Sequence, residues 1–234
     1  MLKQLLLSSL IIGMSSSALA DKNLEDFRNT ETTANGWRLS KNDNRHNIKV
    51  YVKNEDGQKI RSFRVVAVMD ASIETLARVQ SDFDDYLRWY FATLEVKFLK
   101  KVSDREYIYY LVHDAPIGTP DRDVILRTVI EPMTAKQPYV FMRVTALPDY
   151  LPARPPYERM VAEDYTVKWT PIDKNTTLVE SEGFINPGGN GIPSWAINFV
   201  QSKGPYANMM GMARQAKLAR YKNATTPLPF TFFE

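Results

Sequence analysis

Two histidines, His46 and His113, are the side chains best matched to acid–base work near neutral pH, and only one has a carboxylate beside it. His113 precedes Asp114, which can orient an imidazole; His46 lies in the polar segment Asn42–Asn47. Neither is joined by a matched nucleophile. The chain has no Gly-x-Ser-x-Gly elbow, no His-Glu-x-x-His and no phosphate-binding loop. It also has no cysteine, which removes disulfides, thiolate nucleophiles and thiolate metal ligands. The acidic run Asp82-Phe83-Asp84-Asp85 lacks the glycine and closing glutamate of a calcium loop. These residue types point away from catalysis, metals and cofactors, and towards binding.

Binding chemistry is sought in charges placed on strand faces that are otherwise apolar. On Pro138–Leu147, Arg143 shares a face with Tyr139, Phe141 and Thr145; on Tyr157–Trp169, Glu163 shares one with Val161, Tyr165 and Val167. A hairpin around Pro152 sets Arg143 opposite Glu163. Inside a cavity such a pair must be mutually satisfied and suits recognition of a head group or hydroxyl. On an outer face it is a solvated bridge worth under about 1 kcal/mol. Arg127, between Ile125 and Val129, is a second candidate for a polar contact, and the Arg122-Asp123 pair reads as a tie between a loop and a strand.

The elements that would position these groups follow from hydrophobic period. Alternation at Ile48, Val50 and Val52, a turn at Asn54-Glu55-Asp56-Gly57 and a return over Ile60–Met69 form a hairpin. Asp70-Ala71-Ser72 caps a short helix through Asp82, and an aromatic helical patch covers Phe83–Phe91. Strands follow at Leu94–Val102, Glu106–His113, Asp123–Glu131, Pro138–Leu147, Tyr157–Trp169 and Thr176–Phe184, which makes eight in all. The glycine-rich loop Asn186–Pro193 then leads into a long helical pattern reaching Tyr221, with a kink or break expected at Lys203-Gly204-Pro205. This is an α+β order dominated by antiparallel meander.

A curled antiparallel sheet with one long helix across its open side encloses a space for side chains or for one ligand. At this point the chain resembles the START lipid-transfer family of the helix-grip superfamily, over about Trp37–Tyr221. The resemblance is carried by Asp82…Tyr86…Trp89, by Pro116…Arg122-Asp123, by Arg159 entering a strand that ends Trp169-Thr170-Pro171, and by Pro187-Gly188-Gly189…Ile192-Pro193…Trp195…Asn198. It implies a helix-grip fold, a curved sheet wrapped around the C-terminal helix with an internal cavity. The function it implies is a soluble carrier of one sterol, phospholipid or other lipid without a catalytic step. Sterol-carrying members place an arginine about six residues beyond the Arg-Asp step, where Thr128 stands here. Helix-grip relatives also include cyclases and hydrolases, so an enzyme using His113 is the alternative; a protein-binding module is a third reading.

In such a container Tyr109, Phe141 and Tyr165 join Arg143, Glu163 and Arg127 on the walls, while Trp195, Phe199, Tyr206 and Met210 form the roof. Gly188, Gly189 and Ile192 belong to a gate loop that the proline-rich Leu147–Pro156, with Leu151, is expected to face. Leu151 and Ile192 are then the residues expected to touch a membrane surface.

Lys3, the apolar run Leu5–Gly13 and Ala18-Leu19-Ala20 form the pattern of a signal peptide over residues 1–20. Residues 21–35 read as a flexible lead-in, 36–222 as the lipid-binding domain and 223–234 as a tail whose three phenylalanines pack back on the domain. A signal of this kind predicts a soluble periplasmic protein, and a net charge of only +3 argues against nucleic acid as a partner.

Overall fold

The computed structural model describes residues 35–189 and 191–234, so the expected signal and nearly all of the lead-in lie outside the described residues. The elements in order are β1 (Arg38–Asp43), β2 (Ile48–Lys53), β3 (Ser62–Met69), α1 (Ile73–Ser81), a 3-10 helix (Phe83–Arg88), β4 (Thr93–Ser103), β5 (Glu106–His113), β6 (Arg122–Glu131) and β7 (Val140–Ala146). They continue with β8 (Glu158–Arg159), β9 (Ala162–Asp173), β10 (Thr176–Asn186), α2 (Ser194–Gln215) and α3 (Ala219–Lys222). One curved sheet runs β1-β2-β3-β10-β9-β7-β6-β5-β4, with the two-residue β8 parallel to β6. Pairing of β3 with β10 joins the start of the domain to its end, so the helices between β3 and β4 are carried across the concave face.

Among the described residues ten strands form where the sequence suggests eight. β1 escapes notice because Arg38-Leu39-Ser40-Lys41-Asn42-Asp43 has no apolar alternation; it is an edge strand held by its ladder to β2. The expected strand Tyr157–Trp169 divides because Met160 donates its amide to Asp123 and Val161 donates to Asn186, two different neighbours.

Helix α2 runs unbroken through Pro205 and stops at Gln215. Proline removes one helical hydrogen bond, yet Gly204 and Pro205 are buried, with Phe91 packed beside Gly204. Side-chain amides pin the helix to neighbouring backbone. Asn198 accepts from the Arg61 amide at 2.8 Å, Gln201 donates to the Ile185 carbonyl at 2.6 Å, and Asn208 accepts from the Phe91 amide at 2.7 Å. Gly211 lets Trp89 come so close that a Cβ would strike its carbonyl. Several backbone attachments and a close approach hold the helix continuous where local sequence alone favours a break.

The core lies between the concave face and the helices. Phe83 packs on Tyr86, Tyr107 and Tyr109 with ring centroids 5.3, 5.4 and 5.4 Å apart, filling one end of the sheet. The C-terminal residues close the same core. Phe232 is 1 % exposed and stacks on Trp169 at 5.9 Å, and Phe230 lies 4.5 Å from Tyr107, so two of the three expected phenylalanines pack on the domain, while Phe233 is exposed. On the convex side Ile108, Tyr110, Val112 and Ile125 form a small second cluster covered by Leu99, Leu147 and Tyr157.

Candidate functional site

Between the sheet and α2 lies a hollow of about 150 Å³. Its deep part is apolar: Met142 and Val144 from β7, Val167 and Trp169 from β9, Val179 from β10 and Phe63 and Val65 from β3. Ala196, Ile197, Val200, Met209 and Met212 of α2 form the roof. The other end is polar and lies beside the loops after β5 and β10, where Ala115, Pro116, Pro187 and Ile192 line the mouth.

At the polar end four side chains meet. Glu163, 2 % exposed, has Oε2 3.2 Å from His113 Nε2 and accepts from the Tyr90 hydroxyl at Oε1, 2.8 Å away. The Tyr90 and Tyr165 hydroxyls are 2.9 Å apart. Burial pulls the His113 pKa down, but the Glu163 carboxylate and the hydrogen bond to it outweigh this and leave it raised above 6.5. Burial first, and then the Glu163 charge, push the Tyr90 hydroxyl well above its usual 10.0, so Tyr90 is a donor and not a phenolate. A buried carboxylate with a histidine and a tyrosine on it is satisfied, and its remaining lone pairs face a hollow built for an apolar body.

The sequence-derived site residues divide on strand and helix phase. Glu163 and Tyr165 stand together at the polar end, and Ile192 lines the mouth. Arg143 is a correction: it is exposed on the convex face, pairs in register with Thr166 and not with Glu163, and lies 5.7 Å over Phe141, which shares that outer face. Arg127 is likewise outside, where it donates to Glu106 at 2.7 Å. In both strands the uninterrupted apolar series, Val140-Met142-Val144 and Val124-Leu126, is the inner one, because a long charged side chain is cheaper to leave in water. That signal was present in the sequence.

Tyr109 is fully buried in the aromatic cluster, packed on Phe83 and Tyr86, and does not line the hollow. The roof residues are also corrected. Trp195 and Phe199 are 62 % and 53 % exposed, Tyr206 turns outward to donate to Asp43 at 2.6 Å, and Met210 packs on the core without lining the hollow. The early turns of α2 are apolar over most of their circumference, and the polar side chains Asn198 and Gln201 are bonded to neighbouring backbone, so period alone does not fix which residues face in.

Gly188 and Gly189 adopt φ of 62° and 68° in the mouth loop, pressed on Val161 and the Glu158 carboxylate. Leu151 is not at the mouth. Arg159 collects the carbonyls of Pro148, Leu151 and Pro152 at 2.6, 2.9 and 3.1 Å, and clamps Asp123 with two bonds of 2.9 Å, so Leu147–Pro156 is tied to the region of the convex cluster. The segment facing the glycine loop is Asp114–Asp121. Sequence reasoning missed Tyr90 and Arg122 as lining residues, because their contacts come from other elements.

The fold and the hollow define a START-type helix-grip domain. No protein-family model matches the chain. A solved STAR-related lipid transfer protein from Xanthomonas axonopodis, fragment 25-204, superposes with a TM-score of 0.70 at 28% identity, covering 78% of this chain and 99% of that one. Human STARD10 superposes with a TM-score of 0.70 at 18% identity, covering 87% and 82% of the two chains. In sequence the chain is 25% identical to an uncharacterized Pseudomonas aeruginosa protein over 92% of its own length and 97% of the other's.

Proposed function

We propose that the protein is a carrier that holds one amphiphilic lipid in the hollow and moves it between membranes. The single observation that carries this reading is the division of the hollow, with an apolar depth and a satisfied His113–Glu163–Tyr90–Tyr165 cluster at its mouth end. The tail of an amphiphile would lie against Trp169, Val167 and Met142, and its polar part would lie at the mouth end. Burial of the tail favours binding by about 25 cal/mol per Å² of apolar surface. The lipid-transfer description of the Xanthomonas axonopodis relative supports the same reading.

Transfer needs contact with a bilayer. Ile117 on one side of the mouth and Trp195 and Phe199 on the other are exposed apolar side chains, and they are the anchors we assign to that contact. Among the described residues no helix is long and apolar enough to cross a membrane. The signal-like start of the chain supports placing this work in the periplasm.

The test is native mass spectrometry of the chain purified without detergent, with identification of whatever is released on denaturation. One lipid class at about unit stoichiometry supports the carrier, whereas a mass of protein alone that stays unchanged after incubation with membrane extract refutes it. A second reading, an acid–base enzyme, has His113 beside Glu163 in its favour. It predicts turnover lost in His113→Ala, but an imidazole whose pKa is raised holds its proton over more of the neutral range and is less available as a general base, and no matched nucleophile stands next to it among the described residues.

A further inference from the structure

One buried cation in the hollow is not accounted for by the cluster above. Arg122, the first residue of β6, is 2 % exposed and lines the hollow. Its Nη1 donates to the Pro120 carbonyl. Its Nη2 lies 2.8 Å from Glu158 Oε2 without the alignment of a hydrogen bond, and its Nε has no partner among the described residues. A guanidinium N–H buried without an acceptor is costly, and native structures rarely leave one so.

The start of α2 supplies an independent sign of the same chemistry. The helix opens behind Pro193 with no capping bond from a described side chain and no acid in its first turn, while Ile192, Ala196 and Ile197 line the hollow. The amides of Ala196 and Ile197 turn back to the Pro193 carbonyl, so Ser194 and Trp195 supply the amides without an intrahelical acceptor at the positive end of the helix dipole. The loop leading into it touches Arg122's surroundings: Gly189 rests on the Glu158 carboxylate, and Gly191 lies beside Thr119, next to Pro120.

Nearby negative charge is limited. Both Glu163 oxygens are already engaged by His113 and Tyr90, Asp114 at the mouth is exposed, and the Glu158 side chain is 37% exposed. Water screens Asp114, whereas Glu158 Oε2 is buried against Arg122 and is the anion with which a ligand competes.

We propose that the mouth of the hollow is an anion subsite, in which Arg122 Nε and the first turn of α2 receive the acid group of an amphiphile, a carboxylate or phosphate. The ligand class is thereby narrowed from lipid in general to acidic single-headed lipid. This deepens the carrier reading and rests on it.

The test uses the full chain stripped of lipid, with cis-parinaric acid and its methyl ester as fluorescent probes. The wild type is expected to bind the acid at least tenfold more tightly than the ester. Arg122→Gln should cut affinity for the acid at least tenfold and for the ester no more than about twofold. Because Arg122→Gln can also disturb folding, Glu158→Gln is the second variant: it removes the carboxylate that competes for the guanidinium, and should tighten acid binding about threefold or more without helping the ester.

Equal affinity for acid and ester in the wild type overturns the anion subsite and leaves the carrier standing. A preference that survives Arg122→Gln and is not strengthened by Glu158→Gln also overturns it, since the preference then arises elsewhere. Binding of neither probe removes the carrier and the subsite together. If inorganic phosphate displaces the acid as well as an unlabelled fatty acid does, the site takes free anions and the assignment to an amphiphile fails.

Discussion

Removing the contact between Glu163 and His113 offers the most direct test of how the hollow is held. Their side chains are 3% and 16% exposed with a separation of 3.2 Å, so solvent screening removes little of the interaction. A hydrogen bond to a charged group contributes roughly 1.5–3 kcal/mol. The cycle of Glu163→Gln, His113→Gln and the double variant isolates this contact, because glutamine at position 163 can still accept from Tyr90. We expect a coupling of about 2 kcal/mol near pH 6, roughly a thirtyfold change in the folding equilibrium.

The pH dependence follows from the His113 shift. Folded His113 keeps its proton to a higher pH than the unfolded chain, whose imidazole titrates near 6.5. Its contribution is therefore complete below that value and is lost as pH rises through the raised folded value. By about pH 9 the coupling should fall below about 1 kcal/mol, the level of a neutral hydrogen bond. Urea unfolding of the lipid-free protein at both pH values measures it. A coupling that does not change with pH, or one under about 0.5 kcal/mol near pH 6, would refute the assignment of a charged pair.

Three further outcomes are expected. Val200→Trp, on the roof of the hollow, should leave the protein folded but lower binding of a fluorescent lipid at least tenfold; retained binding would mean that the ligand lies elsewhere. Phe232→Ala deletes a fully buried ring stacked on Trp169 and should cost about 3–5 kcal/mol, or roughly 10 °C in Tm by calorimetry, whereas a small loss would show that the C-terminal residues are not part of the core. Arg143→Ala, on the convex face, should change stability by less than about 0.5 kcal/mol and leave lipid binding as it was, and a titration showing weaker binding would reverse the orientation given to β7.

Much of the architecture was legible in the chain, for a simple reason. Alternation in Ile48-Val50-Val52, the turn after Lys53 and the single long helical pattern near the end are local signals, and an antiparallel meander makes sequence neighbours into spatial neighbours. Hence the α+β order, the curved sheet and the closing helix were all readable. Strand β1 was not, since its pattern is polar and its pairing to β2 is what makes it a strand.

By itself the sequence determined that a strand has two faces, one of which is charged, and that Glu163 and Tyr165 travel together. For β6 and β7 the uninterrupted apolar series already marked the inner face, but which side of α2 turns inward was decided only when Asn198, Gln201 and Asn208 pinned it to the backbone around it. Those attachments set the rotation of the helix, and so put Ala196, Val200 and Met209 over the hollow and Trp195 and Phe199 in solvent. The meeting of His113, Glu163 and Tyr90 has the same origin. They lie 50 and 73 residues apart along the chain from one another's partner, and contacts of that range are set by burial of the whole concave face, which no local period encodes.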